Sequence, residues 1–134
     1  MDAVKMTYIK GFDQQITFGL QVREFQCRCN RKECQAVVVD GRMIPAYKKF
    51  RYLVNVGLHV LSGHRCPAHN REVGGVKDST HTYGEAIDVR AYELLELRKL
   101  TINEVIALAH EAGFKFVKHY PEKGFFHMDV KVRP

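Results

Sequence analysis

The chain has 134 residues, 46% of them hydrophobic and 27% charged, with a formal net charge of +6 at pH 7. That length fits one compact domain over residues 1–134 with a core of its own, and the ordinary composition excludes a disordered or low-complexity chain. No apolar run is long enough for a membrane helix, and no basic-then-apolar leader opens the sequence.

The first informative segment holds Cys27, Cys29 and Cys34, with Cys66 following in a later loop. Three readings stay open for them: a second, structural zinc with four thiolates, one or two disulfides, or four reduced thiols. The single residue between Cys27 and Cys29 is tighter than the gaps of zinc ribbons. Next, Ile44 to Val56 reads as a helix, with Tyr47, Phe50 and Val54 at helical spacing and Gly57 in the capping position. His59 to Ser62 reads as a strand. Residues 63–80, rich in turn formers and carrying Gly74 and Gly75, read as one long loop.

Ala86, Asp88 and Arg90 alternate with Ile87 and Val89, which predicts a short strand with Asp88 on its polar side. Thr101-Ile102-Asn103-Glu104 has the spacing of a capping box, and Val105, Ile106, Leu108, Ala109 and Ala112 form the apolar stripe of a helix closed by Gly113. Phe114 to Tyr120 and Phe125 to Val132 form a hairpin around residues 121–124. In its second strand Phe126, Met128, Val130 and Val132 face the core, while Phe125, His127, Asp129 and Lys131 share the other face. Helices beside a small, mainly antiparallel sheet make an α+β fold, with the candidate zinc site in a cleft on the sheet.

His81, Asp88 and His127 are the residue types that hold zinc. Two imidazole nitrogens and one carboxylate oxygen leave the fourth tetrahedral position open for water, as in catalytic rather than structural zinc sites. Gly84, between His81 and Asp88, permits the turn that brings both round one ion. If the three converge, the chemistry is hydrolysis. The remaining histidines are not recruited: His110 lies in the amphipathic helix, His59 and His119 carry no pattern, and His64 and His69 flank Arg65 within reach of a substrate.

The ordered set Leu61-Ser62-Gly63-His64-Arg65-Cys66-Pro67-Ala68-His69-Asn70, Val73-Gly74-Gly75, Ser79-x-His81-x-x-Gly84-x-Ala86-x-Asp88, Tyr120-Pro121 and Phe126-His127-Met128-Asp129-Val130 resembles the zinc D-alanyl-D-alanine carboxypeptidases and related VanY-like peptidoglycan peptidases. The resemblance runs from about Phe25 to the C-terminus. It implies the α+β zinc fold, Zn2+ held by His81, Asp88 and His127, Arg65 on the substrate's carboxylate, and Ser79 beside the first ligand. Many members carry a Glu three residues before the last His as general base; here that position is Gly124. The chain is similar to a subgroup ending in His-x-Asp. Asp129 is therefore the candidate base, or a carboxylate that orients a ligand imidazole, with Glu122 and Asp78 as further choices. His64 falls where relatives often have Tyr.

The expected function is hydrolysis of a peptide bond in bacterial peptidoglycan by a zinc-activated water, as a D,D-carboxypeptidase or an endopeptidase. A zinc-stabilised wall-binding module without catalysis is the alternative, since the hedgehog signalling domain has a related zinc fold. With no export signal in view, the expected route is synthesis in the cytoplasm and release to the wall, as in phage or prophage lysis. A pI near 9.2 fits attraction to anionic wall polymers that weakens with salt. Basic clusters at Arg28-Arg31-Lys32 and Lys48-Lys49-Arg51 come without a recognition motif, so nucleic acid is not expected as a partner. A monomer is expected.

Overall fold

The structure is a computed structural model that describes residues 4–134. Its centre is a four-stranded antiparallel sheet in the order β5-β6-β8-β7, formed by β5 (Val60–Ser62), β6 (Ala86–Arg90), β7 (Phe116–Tyr120) and β8 (Phe125–Asp129). Two smaller antiparallel pairs precede it in sequence: β1 (Lys5–Ile9) with β4 (Ala36–Asp40), and β2 (Gln15–Thr17) with β3 (Leu20–Gln21). Helices α1 (Val22–Phe25), α2 (Met43–Val54), α3 (Pro67–Glu72) and α4 (Ile102–Ala112) flank the sheets. The fold is α+β, as expected.

Alternation in the sheet sorts the side chains. Ile87 and Val89 on β6 and Phe126 and Met128 on β8 are fully buried and turn one face of the sheet into the core. Helix α2 adds Met43, Tyr47, Phe50 and Val54 from one stripe, and α4 adds Val105 and Ala109. Phe50 meets Phe114 edge to face, with ring centroids 6.1 Å apart. The capping box at Thr101 forms: its hydroxyl accepts from the Glu104 N–H and the Glu104 carboxylate accepts from the Thr101 N–H. Among the described residues, no helix is long and apolar enough to cross a membrane.

Three expectations need correction. Helix α2 ends at Asn55, which takes the left-handed conformation (φ 50°) and donates its N–H to the Arg51 carbonyl, so Gly57 is not the cap. Asn is one of the few residues besides Gly that adopt that conformation. The segment 63–80 is not one loop, because Cys66-Pro67 starts helix α3, with Pro at the first helical position where its missing N–H costs nothing. Strand β8 stops at Asp129, and Val132 beyond it is exposed.

Two glycines let distant segments touch near the sheet. At Gly84 (φ 70°) a Cβ would fall 2.2 Å from the Val38 carbonyl oxygen of β4. Its own carbonyl accepts from the Asp40 N–H. At Gly63 a Cβ would lie 2.4 Å from the Phe25 ring. Both close approaches set the backbone at the two ends of the segment 64–83.

The β1–β4 pair is tied down by charge. Asp40 is fully buried and its carboxylate accepts from Lys5 Nζ (3.2 Å) and from the Arg42 backbone N–H, Nε and Nη2 (2.9, 3.0 and 2.8 Å). Burial alone would raise its pKa, but Arg42 and Lys5 outweigh burial and hold the carboxyl below its ordinary 3.8. A depressed folded pKa means that the Asp40 contribution to stability is present above pH 3.8 and is lost as the pH falls through the lowered value. Denaturant midpoints measured from about pH 6 down to about pH 3 will fall with acid, and less steeply in Asp40→Asn.

Candidate metal centre

Pairing of β6 with β8 sets Asp88 directly opposite His127. The third residue arrives from a 3₁₀ turn, Thr80–Tyr83, whose first N–H groups are served by Ser79: its hydroxyl accepts from the His81 N–H at 3.3 Å. One donor atom from each of His81, Asp88 and His127 lies within 4.8 Å of the others. The Asp88 carboxylate sits between the rings, with Oδ2 3.1 Å from His81 Nε2 and Oδ1 2.9 Å from His127 Nδ1. The ring centroids are 5.2 Å apart.

The far nitrogen of each imidazole is engaged as well. His81 Nδ1 is 2.6 Å from the Gly63 carbonyl, which can only accept, so Nδ1 carries a proton and Nε2 is the nitrogen turned toward Asp88. His127 Nε2 donates to Asp129 Oδ2 at 3.0 Å, which turns Nδ1 inward. Asp129 is fully buried, and Arg133 forks onto it, Nη1 to Oδ1 at 2.9 Å and Nη2 to Oδ2 at 3.0 Å, while the Lys131 N–H adds a further bond to Oδ1. Arg133 lies over the Phe116 ring, 4.8 Å from its centroid. Arg133 and the Gly63 carbonyl escaped the sequence reading. The Arg133 signal was there: it continues the odd-numbered alternation of Phe125, His127 and Asp129.

Burial works against charge on both central groups and is overcome. The bonds from His127 and His81 hold Asp88 down at about 2, and the bonds from Asp129 and Asp88 lift His127 to about 9. The three inward atoms are two nitrogens and a carboxylate oxygen on fixed side chains, a set that fits zinc.

The three residues open onto a cleft of about 480 Å3, which Arg65, Asp78, Tyr120 and Lys123 also line. Arg65 is half-buried and its backbone N–H donates to the His81 carbonyl. Its Nη2 is 3.5 Å from the Ser79 hydroxyl, and its Nε is buried without a partner. Burial lowers the pKa of Arg65, Asp88 opposing, yet a guanidinium stays charged. Glu122 stands in the exposed turn between β7 and β8, whereas Asp78 lines the cleft and accepts from the Tyr83 hydroxyl at 3.2 Å. His64 is buried behind this segment; burial, with Lys10 and His81 adding to it, lowers its pKa to about 4 and keeps it neutral. Comparison with curated proteins and with solved structures gives no match. The family model for peptidase M15 matches residues 18–129, a span that takes in Arg65, the two imidazoles, the carboxylate between them and the Asp129 behind them, and the chain belongs to that family.

Proposed function

We propose that this protein is a zinc-dependent hydrolase that cleaves a peptide bond in the stem or cross-link peptides of bacterial peptidoglycan, with His81, Asp88 and His127 as metal ligands. The observation that carries the reading is the convergence of two imidazole nitrogens and one carboxylate within 4.8 Å in a cleft that also holds the Arg65 guanidinium, whose Nε has no partner. Members of the M15 family are zinc peptidases. When bound, zinc supplies Lewis acidity and a water whose pKa falls from near 16 to roughly 7.

The protein's own groups do the rest. The Gly63 carbonyl and the Asp129 carboxylate keep a proton on the outer nitrogen of His81 and of His127, so that Nε2 of the one and Nδ1 of the other are the nitrogens left to face a metal. Of the two roles weighed for Asp129, the geometry supports positioning: its oxygens are taken by His127, Arg133 and the Lys131 N–H, and it has no exposed surface. Asp78 is then the carboxylate within the cleft available to pass a proton to the leaving amine. Arg65 holds a substrate carboxylate in a two-pronged bond that a Lys ammonium cannot reproduce.

Purified peptidoglycan digested with zinc-loaded protein, its products identified by mass spectrometry, tests the reading. Release of D-alanine identifies a carboxypeptidase and release of a defined peptide identifies an endopeptidase; both must vanish with a chelator. Zinc binding without cleavage of any wall preparation would leave the wall-binding module in its place. For the substrate contact, Arg65→Ala is expected to raise KM by about 10- to 100-fold, the worth of a charged hydrogen-bonded pair, with zinc content unchanged. Arg65→Lys is expected to recover only part of that, and loss of zinc in either variant would count against the role.

A further inference from the structure

On the other side of Arg65 stands a second group of donor atoms. Cys27, Cys29 and Cys34 are buried in the segment 26–35, which has no helix or strand, and Cys66 reaches them from the start of α3. All four thiols are free, and their sulfurs lie within 4.8 Å of one another. A tetrahedral ZnS4 centre with bonds of about 2.3 Å has sulfur-to-sulfur edges of about 3.8 Å. The Cys29 and Cys66 sulfurs are 3.8 Å apart.

The surroundings aim donors at the sulfurs. The Cys66 N–H donates to Cys27 Sγ at 3.3 Å, and the His69 N–H to Cys66 Sγ at 3.4 Å. Lys10 is pinned by the Cys29 carbonyl at 2.6 Å, which sets its ammonium 3.5 Å from Cys29 Sγ and 3.8 Å from Cys34 Sγ. Four neutral thiols need no such donors, whereas four thiolates round a divalent ion leave two negative charges to offset. The buried cysteines of this segment pack as a cluster apart from the main core, with Cys66 against them. The sequence spacing looked poor for zinc because the ligands do not come from two knuckles; three come from one segment and the fourth from far along the chain.

We propose that Cys27, Cys29, Cys34 and Cys66 bind a zinc ion of their own, a closed four-thiolate site that fastens residues 26–35 to the segment carrying Arg65. Soft thiolate donors select zinc over hard cations, and with no open position the ion is structural. Its reach extends to the cleft, because Cys66 follows Arg65, whose N–H is bonded to the His81 carbonyl.

The full chain, purified reduced and reconstituted with zinc, is weighed by native mass spectrometry and titrated with Co2+. Two zinc ions per chain are expected, falling to one in His127→Ala and to one in Cys29→Ser/Cys34→Ser. Cobalt is expected to give a strong sulfur-to-metal charge-transfer band in the near ultraviolet that saturates at one ion per chain. The band persists in His127→Ala, so it reads the cysteines independently of the cleft. Should the double serine variant fail to fold, the wild-type cobalt band decides. Absence of that band from reduced wild-type protein, or a zinc count that the serine substitutions leave unchanged in folded protein, would overturn the site.

Discussion

His127→Ala is expected to bring peptidoglycan cleavage down to the level of chelator-treated protein, a loss of about a thousand-fold or more if metal chemistry lowers the barrier by several kcal/mol. The size of the effect follows from where His127 stands. It is the partner of Asp88 across the β6–β8 pairing, and its ring fills the space between that carboxylate and the buried Asp129. Removing it takes away one of the three proposed ligands and leaves Asp129 facing a void with Arg133 and the Lys131 N–H as partners. Zinc content and cleavage are expected to fall together, while the far-ultraviolet spectrum and the Phe50–Phe114 core contact stay as they are. Cleavage that survived full loss of this side chain would remove the catalytic reading of the cleft.

Asp129→Asn is expected to weaken zinc binding at this centre by about 10- to 100-fold, the usual cost of losing a carboxylate behind a ligand imidazole. The carboxylate now accepts from His127 Nε2 and from both arms of Arg133. An amide offers one acceptor oxygen and a donor in place of the second, so either the imidazole or the guanidinium loses a partner. Two measurements on the same variant separate the roles proposed for this residue. Positioning predicts a lower zinc affinity, with cleavage partly restored at saturating zinc. A general base predicts unchanged affinity and a collapse of kcat that zinc does not relieve.

The facing of Asp88 and His127 was legible because each sat in a strand pattern with one outcome. Phe126, Met128 and Val130 had to be buried, so His127 had to face away from them, and the same logic turned Asp88 away from Ile87 and Val89. The capping box at Thr101 is a local signal and formed locally. What lay hidden was settled by contacts far apart in the chain. Strand β1 shows little alternation of burial and takes its place only by pairing with β4. The convergence of Cys66 on Cys27, Cys29 and Cys34 depends on how α3 is set against the segment 26–35. The His-x-Asp spacing put Asp129 beside His127 but left undecided which edge of the ring it would meet; that edge is Nε2, away from Asp88.

Because Asp88 and His127 are matched by strand pairing rather than by loop conformation, the proposed metal capture would report on hydrogen-bond registration in the sheet. A slip of β8 by one residue would point Phe126 or Met128 into the cleft and bury the imidazole, with no partly competent arrangement between. Zinc uptake at the proposed cleft site should therefore behave as an all-or-none gauge of correct pairing, appearing with the β6–β8 ladder and never ahead of it.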